Sequence, residues 1–311
     1  MIKVALVVPC YNEEDVLLET CRRLLETLTG LERRGIISAD SAVYFVDDGS
    51  TDRTWEFVAD CARRDPRVHG IRLSRNKGHQ TALLAGLHHA EGDVVVTVDA
   101  DLQDDLGAVE EMLRHSTEGS DIVYGIRRSR RTDTFWKRNT ALGYYRALGW
   151  LAIEVIDNHA DFRLMSRRAV DAVLQYPEVN VFLRGLIPLL GFSSSTVYYD
   201  RGPRFAGVSK YPLRRMVGLA IDGVTSFSVA PLRLVFGLGL LVATLSAGMI
   251  GWVLFGSIMW DTVIPGWASS VLPIYFLGGL QLLSLGVVGE YVAKMYLETK
   301  RRPRFVIDKV V

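Results

Sequence analysis

"GDVVVTVDADLQDD", residues 92–105, decides how the chain is read. Val94-Val95-Val96-Thr97-Val98 is an unbroken run without polar alternation, the pattern of a strand covered on both faces. It ends on four carboxylates, Asp99, Asp101, Asp104 and Asp105. Crowded carboxylates repel one another unless a cation neutralises them. In an extended segment Asp99 and Asp101 share one side, with Ala100 pointing away. Their oxygens can then meet on one Mg²⁺ or Mn²⁺, hard cations that take oxygen ligands and keep positions open for phosphate. Such an ion would bridge the phosphates of a nucleotide-linked substrate and absorb charge on its leaving group. The plainer alternative, that these residues cap the next helix, is the reading taken for Asp104 and Asp105.

On either side of this stretch, short apolar runs alternate with amphipathic ones. Strands are expected over 3–10, 41–50, 68–74 and 92–100. Helices are expected over 13–31, over 51–65 behind a threonine cap, and over 78–90. The alternation predicts an α/β fold, a Rossmann-like, mostly parallel sheet with helices on both faces. Ligands of open α/β sheets gather beyond the carboxyl ends of the strands. The polar clusters "PCYNEED", "DDGSTD", "SRNKG" and "DADLQDD" all fall there, one after each strand.

The C-terminal third differs in kind. Residues 234–260 and 262–289 contain no charge apart from Asp261 between them, and each exceeds the roughly 20 apolar residues that cross a bilayer. Two buried helices of a soluble core are the alternative. "GLGLL" at 237–241 is read as close helix packing rather than a nucleotide loop. Lys210, Arg214, Arg215 and Arg233 precede the first span, and Lys294, Lys300, Arg301, Arg302 and Arg304 follow the second. The positive-inside rule therefore places both termini in the cytoplasm, at the inner (plasma) membrane, with Trp252, Trp260 and Trp267 at the far interface. The expected division is a cytoplasmic catalytic domain over 1–205, a juxtamembrane loop and interfacial helix over 206–232, two spans over 233–294 and a cytoplasmic tail over 295–311.

A net charge of +1 over 311 residues singles out no nucleic-acid partner. Cys10, Cys21 and Cys61 form no metal-ligand pair, which fits a reduced, cytosolic setting. The basic stretch "GIRRSRRTDTFWKR" (125–138) is a solvated face or a phosphate-binding surface, since planar arginine forks suit phosphate.

In order, "VVPCYNEE", "VDDGSTD", "NKGHQTALLAGL", "VDADLQDD", "GIRRSRR" and "ADFRLMSRR", then "RFAGVSKY" before the spans and "GEYVAKMYLETKRRPRF" after them, resemble the family-2 glycosyltransferases of the GT-A fold. The likeness is greatest to polyprenyl-phosphate glycosyltransferases of the bactoprenol glucosyltransferase and dolichol-phosphate mannose synthase type, and it covers essentially the whole chain. One departure is Asp105, where relatives usually carry proline.

The resemblance implies roles. Asp48 would accept the base N–H of a uridine nucleotide, with Pro9, Tyr11 and Glu13 lining the same pocket. Asp99, Asp101 and Gln103 would hold the metal and the donor diphosphate. Arg127 and Arg138 would bind the acceptor phosphate. Arg204 and Lys210 would close over the donor as a lid around Gly207. Asp161 would be the catalytic carboxylate of an inverting transfer. Plainer readings stay open: Asp48 orders its turn, Tyr11 packs a strand end, Asp161 pairs with Arg163, and 204–211 is a juxtamembrane linker. The implied reaction moves one sugar from a UDP-sugar to polyprenyl (undecaprenyl) phosphate. "ADFRLMSR" favours glucose, with GDP-mannose as the runner-up donor. A processive synthase is disfavoured because Q-x-x-R-W is absent. A non-catalytic sugar-nucleotide sensor or transporter subunit is the alternative of a different class. The oligomeric state, including a homo-oligomer, is left open.

Overall fold

The computed structural model describes residues 1–128, 159–178, 183–200, 202, 231–232, 234–242, 244–245, 248, 255 and 267–311. Arg138, Arg204, Lys210, most of the first apolar segment, the interfacial helix expected at 216–231 (but for 231), and the link bearing Asp261 lie outside the described residues.

Among the described residues the strands are β1 (Val4–Cys10), β2 (Ala42–Asp47), β3 (Val68–Leu73), β4 (Val94–Thr97), β5 (Ile122–Arg127), β6 (His159–Ser166), β7 (Ser194–Tyr199) and β8 (Ile307–Val310). The helices are α1 (Leu17–Arg33), α2 (Thr54–Arg64), α3 (His79–His89), α4 (Ala108–Thr117), α5 (Arg167–Gln175), α6 (Leu183–Leu189) and α7 (Trp267–Thr299). One sheet holds the strands in the order β7-β5-β6-β4-β1-β2-β3-β8. β4, β1, β2 and β3 run parallel, as the alternation implied. β6 is antiparallel to both of its neighbours, β4 and β5, and β8 is antiparallel to β3. The sheet is thus mixed and mostly parallel.

β1 shows why a strand without alternation is stable here. Val4, Leu6 and Val8 pack with Leu17, Leu24 and Leu28 of α1 on one face. Ala5 and Val7 pack with Leu83 and Leu87 of α3 on the other. Both faces are apolar because both are roofed by helices.

Three local expectations shift. α1 starts at Leu17 rather than at residue 13; residues 14–16 form a turn, and the amides of Glu13 and Glu14 bond to Thr54 Oγ1 (2.9 Å) and the Asp52 carboxylate (3.3 Å) of the next loop. α2 has no threonine cap; Asp52 accepts from the Thr54 amide at 3.0 Å instead. β4 stops at Thr97, and residues 100–101 turn rather than continue extended.

α7 is 33 residues long, about 50 Å at 1.5 Å per residue and longer than a hydrocarbon core of about 30 Å. It begins after the start of the apolar segment and continues past Gly289 through Glu290, Lys294 and Glu298. Its stretch Phe276–Thr299 is long and apolar enough to cross a membrane and is unburied, the one such helix among the described residues. Beyond it, the tail is not a loose extension: Val310 and Ile307 pair with Ile71 and Leu73, and the Gly70 and Val311 backbones exchange bonds of 2.8 and 2.9 Å.

Gly86 lets α3 lie directly on the sheet. A Cβ there would drive into Val7 Cγ1 and lie 2.9 Å from Val46 Cγ2. Gly86→Ala is expected to cost about 1–3 kcal/mol by overpacking. Thermal unfolding of the purified chain in detergent checks this; an unchanged midpoint would mean that α3 is not seated so closely.

Candidate active site

Pro9 is buried in β1 beside Val46, Tyr11 is exposed just beyond the strand end, and Glu13 is half-buried in the following turn. The buried Asp48 carboxylate accepts the amides of Lys77 (2.7 Å) and Gly78 (2.8 Å). It therefore orders the loop after β3 rather than its own turn. Burial pushes its pKa up, against the pull of those two amides. Gly49 adjoins it at φ 68°, where a Cβ would lie 2.6 Å from the Arg75 carbonyl carbon, so the two loops meet backbone to backbone. Asp47 holds the turn, accepting from the Ser50 amide at 2.9 Å and facing Arg72 at 3.3 Å. A carboxylate oxygen has two lone pairs, which leaves Asp48 acceptor capacity for a base N–H.

The second half of the site gathers at the ends of β4 and β6. The pairing Thr97↔Arg163 brings Asp161 next to the segment carrying Asp99. His79, at the start of α3, stands between them: its Nε2 is 3.7 Å from Asp99 Oδ1 and 3.3 Å from Asp161 Oδ2. Arg184 of α6 reaches both Asp161 oxygens, at 3.1 and 2.9 Å, and the wholly buried Arg163 donates to Oδ1 at 2.5 Å. Gln80 adds a longer bond of 3.4 Å. The alternative Asp161–Arg163 pair thus exists, but within a larger cluster.

Burial alone would raise the Asp161 pKa. The hydrogen bond from His79 and the charges of Arg184 and Arg163 outweigh it and hold the carboxyl well below the usual range. Burial would lower the His79 pKa, but Asp161 and Asp99 raise it. Burial pushes Asp99 up, His79 pulls it down, and Asp161 and Asp101 push it up again. Asp161 is therefore a lasting anion and a weak base, whereas Asp99 is a carboxyl that a cation would relieve.

Asp101 Oδ1 accepts from the Gln103 amide at 3.2 Å across a turn in which Leu102 adopts φ 56°. Ala100 does point away, buried in the core with its carbonyl on Thr20 Oγ1 at 2.8 Å. Among the described residues no three His, Cys, Asp or Glu side chains form a ready metal cage. Two neighbouring carboxylates do fit Mg²⁺ or Mn²⁺, which binds through one or two carboxylates together with substrate phosphates.

Asp105 behaves as a cap, accepting from the Gly107 amide at 2.9 Å. Asp104 does not, contrary to the sequence reading. It is buried, receives the Tyr199 hydroxyl at 2.6 Å, and lies 3.7 Å from Arg127 Nη2. Arg127 Nε in turn donates to Tyr199 Oη at 3.2 Å, so Arg127 is braced by β7 and Asp104 behind the Asp99/Asp101 pair. Arg128 lies 4.0 Å from Asp200, both exposed.

His79, Gln80, Arg184 and Tyr199 were missed in the sequence. His79 and Gln80 follow "SRNKG" directly, so their place at a strand end was a usable signal. Arg184 and Tyr199 carried none, each being a single polar side chain in an ordinary helix or strand.

With this geometry in view, the comparisons give a class. Residues 5–174 match the family described as "Glycosyl transferase family 2". The chain is 50% identical to the "Uncharacterized glycosyltransferase YkoT" of Bacillus subtilis (strain 168), covering 97% of this chain and 90% of that one. It is 36% identical to the "SfII prophage-derived bactoprenol glucosyl transferase" of Shigella flexneri, covering 99% and 98%. A solved mannosyltransferase of Pyrobaculum calidifontis aligns with 16% identity and a TM-score of 0.48, covering 91% and 87%. The chain belongs to glycosyl transferase family 2.

Burial, followed by the charge of Asp99, pushes the Asp104 pKa up to about 6, against Tyr199 and Arg127. Its folded value exceeds its unfolded one, so its contribution to stability is present below about pH 4 and is lost as pH rises through about 6. Asp104→Asn should remove this loss. Relative to the parent, the variant should gain up to about 3 kcal/mol between pH 4 and pH 7. Denaturant unfolding in chelator at the two pH values measures it; parallel pH profiles would overturn the assignment.

Proposed function

We propose that the chain is a membrane-anchored inverting glycosyltransferase that moves one sugar, glucose as first choice, from a UDP-sugar to polyprenyl (undecaprenyl) phosphate. The product would be a lipid-linked sugar for cell-envelope glycosylation. The observation that carries this is the Asp161 cluster: a carboxylate held ionised by His79, Arg163 and Arg184 beside the Asp99/Asp101 pair. Full-length likeness to proteins named bactoprenol glucosyl transferase supports glucose as the sugar and a polyprenyl acceptor.

The chemistry follows from the charges. Asp48, Pro9, Tyr11 and Glu13 hold the nucleotide. Asp99, Asp101 and Gln103 would hold Mg²⁺ or Mn²⁺, which supplies positive charge to the diphosphate when bound. An acceptor phosphate, with a second pKa of about 6, is largely dianionic at neutral pH. Its oxygen attacks the anomeric carbon, the bond to the UDP oxygen breaks, and UDP leaves with the electron pair. Little proton removal is needed, so the weakly basic Asp161 positions His79 and Arg184 around the acceptor more than it takes a proton. Arg127 and Arg138 are proposed to bind the acceptor phosphate, and Arg204 with Lys210 to close over the donor.

Chain parity supports two spans over 233–294. β8, after α7, pairs with β3 of the catalytic sheet, so the chain's end and its catalytic domain lie on one side of any bilayer. A chain that crosses through α7 must then cross an even number of times, and the charge-free stretch 234–260 is the available partner. The proposed layout is a cytoplasmic domain over 1–205, a juxtamembrane segment over 206–232, the spans, and a cytoplasmic tail over 295–311.

A panel of radiolabelled UDP- and GDP-sugars with undecaprenyl phosphate tests the reaction. UDP-glucose is expected to give a lipid-linked product; transfer from GDP-mannose alone would favour the mannose reading, and no transfer from any donor the sensor reading. Chelator should abolish turnover and Mg²⁺ or Mn²⁺ restore it. Asp101→Asn should cost at least about a hundredfold in rate, the scale of lost charge stabilisation at a reacting centre. Full activity in chelator would sink the metal assignment.

The topology is checked in sealed cells on a background lacking Cys10, Cys21 and Cys61. Ser269→Cys should react with an impermeant thiol reagent, and Thr117→Cys, on the exposed end of α4, should not. The opposite pattern would reverse the orientation.

A further inference from the structure

The tail between α7 and β8 crosses the catalytic domain without lying flat on it. Arg301 turns the chain at φ 44°. Arg304 donates to the Tyr176 carbonyl, Phe305 meets the His88 ring edge-on at 6.5 Å, and the Val306 carbonyl accepts the Ser74 amide at 2.9 Å. Under this bridge lies a cavity of about 650 Å³, bounded by Leu84 and His88 of α3, Leu174 and Pro177 at the end of α5, and residues 301–305. The volume is within the range of roughly 300–1,000 Å³ typical of small-ligand sites.

The cavity is apolar inside and cationic at one rim. Arg304 is occupied by Tyr176, with the charges of Glu298 and Glu178 nearby. Lys300 sits over the Tyr296 ring at 4.1 Å. Arg301 and Arg302 are exposed, and among the described residues neither side chain has an ion pair. They follow the last turn of Phe276–Thr299, which puts them at headgroup level if that helix spans a bilayer.

We infer that this cavity binds the headgroup of an anionic phospholipid. Its phosphate would rest on the Arg301 and Arg302 guanidiniums, whose planar forks suit phosphate oxygens. The first acyl carbons would lie against Leu84, Leu174, Pro177 and Phe305. The site is separate from the sugar-transfer centre, which lies at the opposite, His79 end of α3. A lipid here would hold the tail down, and with it the Val306–Ser74 bond at the root of the loop that supports Asp48. The inference rests on the membrane-anchored reading above.

The test uses the full chain reconstituted into phosphatidylcholine nanodiscs with and without phosphatidylglycerol, counting co-purifying lipid by native mass spectrometry after detergent release. The wild type should retain phosphatidylglycerol over phosphatidylcholine by about thirtyfold, the scale expected of two surface arginines at about 1 kcal/mol each. Arg301→Gln with Arg302→Gln should bring the ratio near one. Leu174→Trp, which narrows the cavity and leaves every charge in place, should do the same, separating a built site from general attraction to basic residues. A wild-type ratio near one, or a ratio unchanged in both variants, overturns the site while leaving anchoring intact. A chain that stays out of both kinds of nanodisc overturns the anchored reading and this inference together.

Discussion

The antiparallel pairing of β6 with β4 is the constraint on which the site depends. It places Asp161 beside Asp99 although the whole basic segment 125–138 lies between them in the chain. A buried carboxylate without partners costs several kcal/mol, so the position demands cations. Three arrive from three elements: Arg163 from β6 itself, His79 from the start of α3 and Arg184 from α6. Each of those elements is in turn held by the core on the α3 face of the sheet. Charge compensation at one residue thereby fixes how two helices meet one strand.

The half of the site around Asp48 is built by a different means. Asp48 and Asp47 spend their oxygens on backbone amides and Arg72, binding neighbouring loops into one surface. The chain's own C-terminal strand adds to the same edge, through Ser74 at the root of the loop that feeds Asp48. The segment that follows the apolar helix therefore reaches the sheet beside the loop that Asp48 orders.

Some of this was legible in residue order. The unbroken valine run of β4 and the polar clusters after four strands located the sheet and the edge where chemistry collects. The mixed sheet was not legible, since β6 reads equally well as a parallel or an antiparallel strand; direction depends on which neighbour it meets. β8 escaped notice because "IDKV" is short and charged, and only its pairing with β3 makes it a strand. Asp104 reads as a cap in the sequence for the same reason as Asp105, because both stand just before the next helix. Its burial depends on Tyr199, which β7 delivers from the far end of the domain.

By itself, then, the sequence determined the alternation of strands and helices, the site edge, the adjacent Asp99 and Asp101, and the charge-free segments, because each follows from local periodicity or from spacing within a few residues. Only the tertiary structure decided that Asp161 is clamped ionised, that His79 and Arg184 belong to the site, that Arg127 is braced by Asp104 and Tyr199, and that the tail returns to the sheet. Those facts are contacts between residues distant in the chain, and no local pattern encodes the partner of a buried charge.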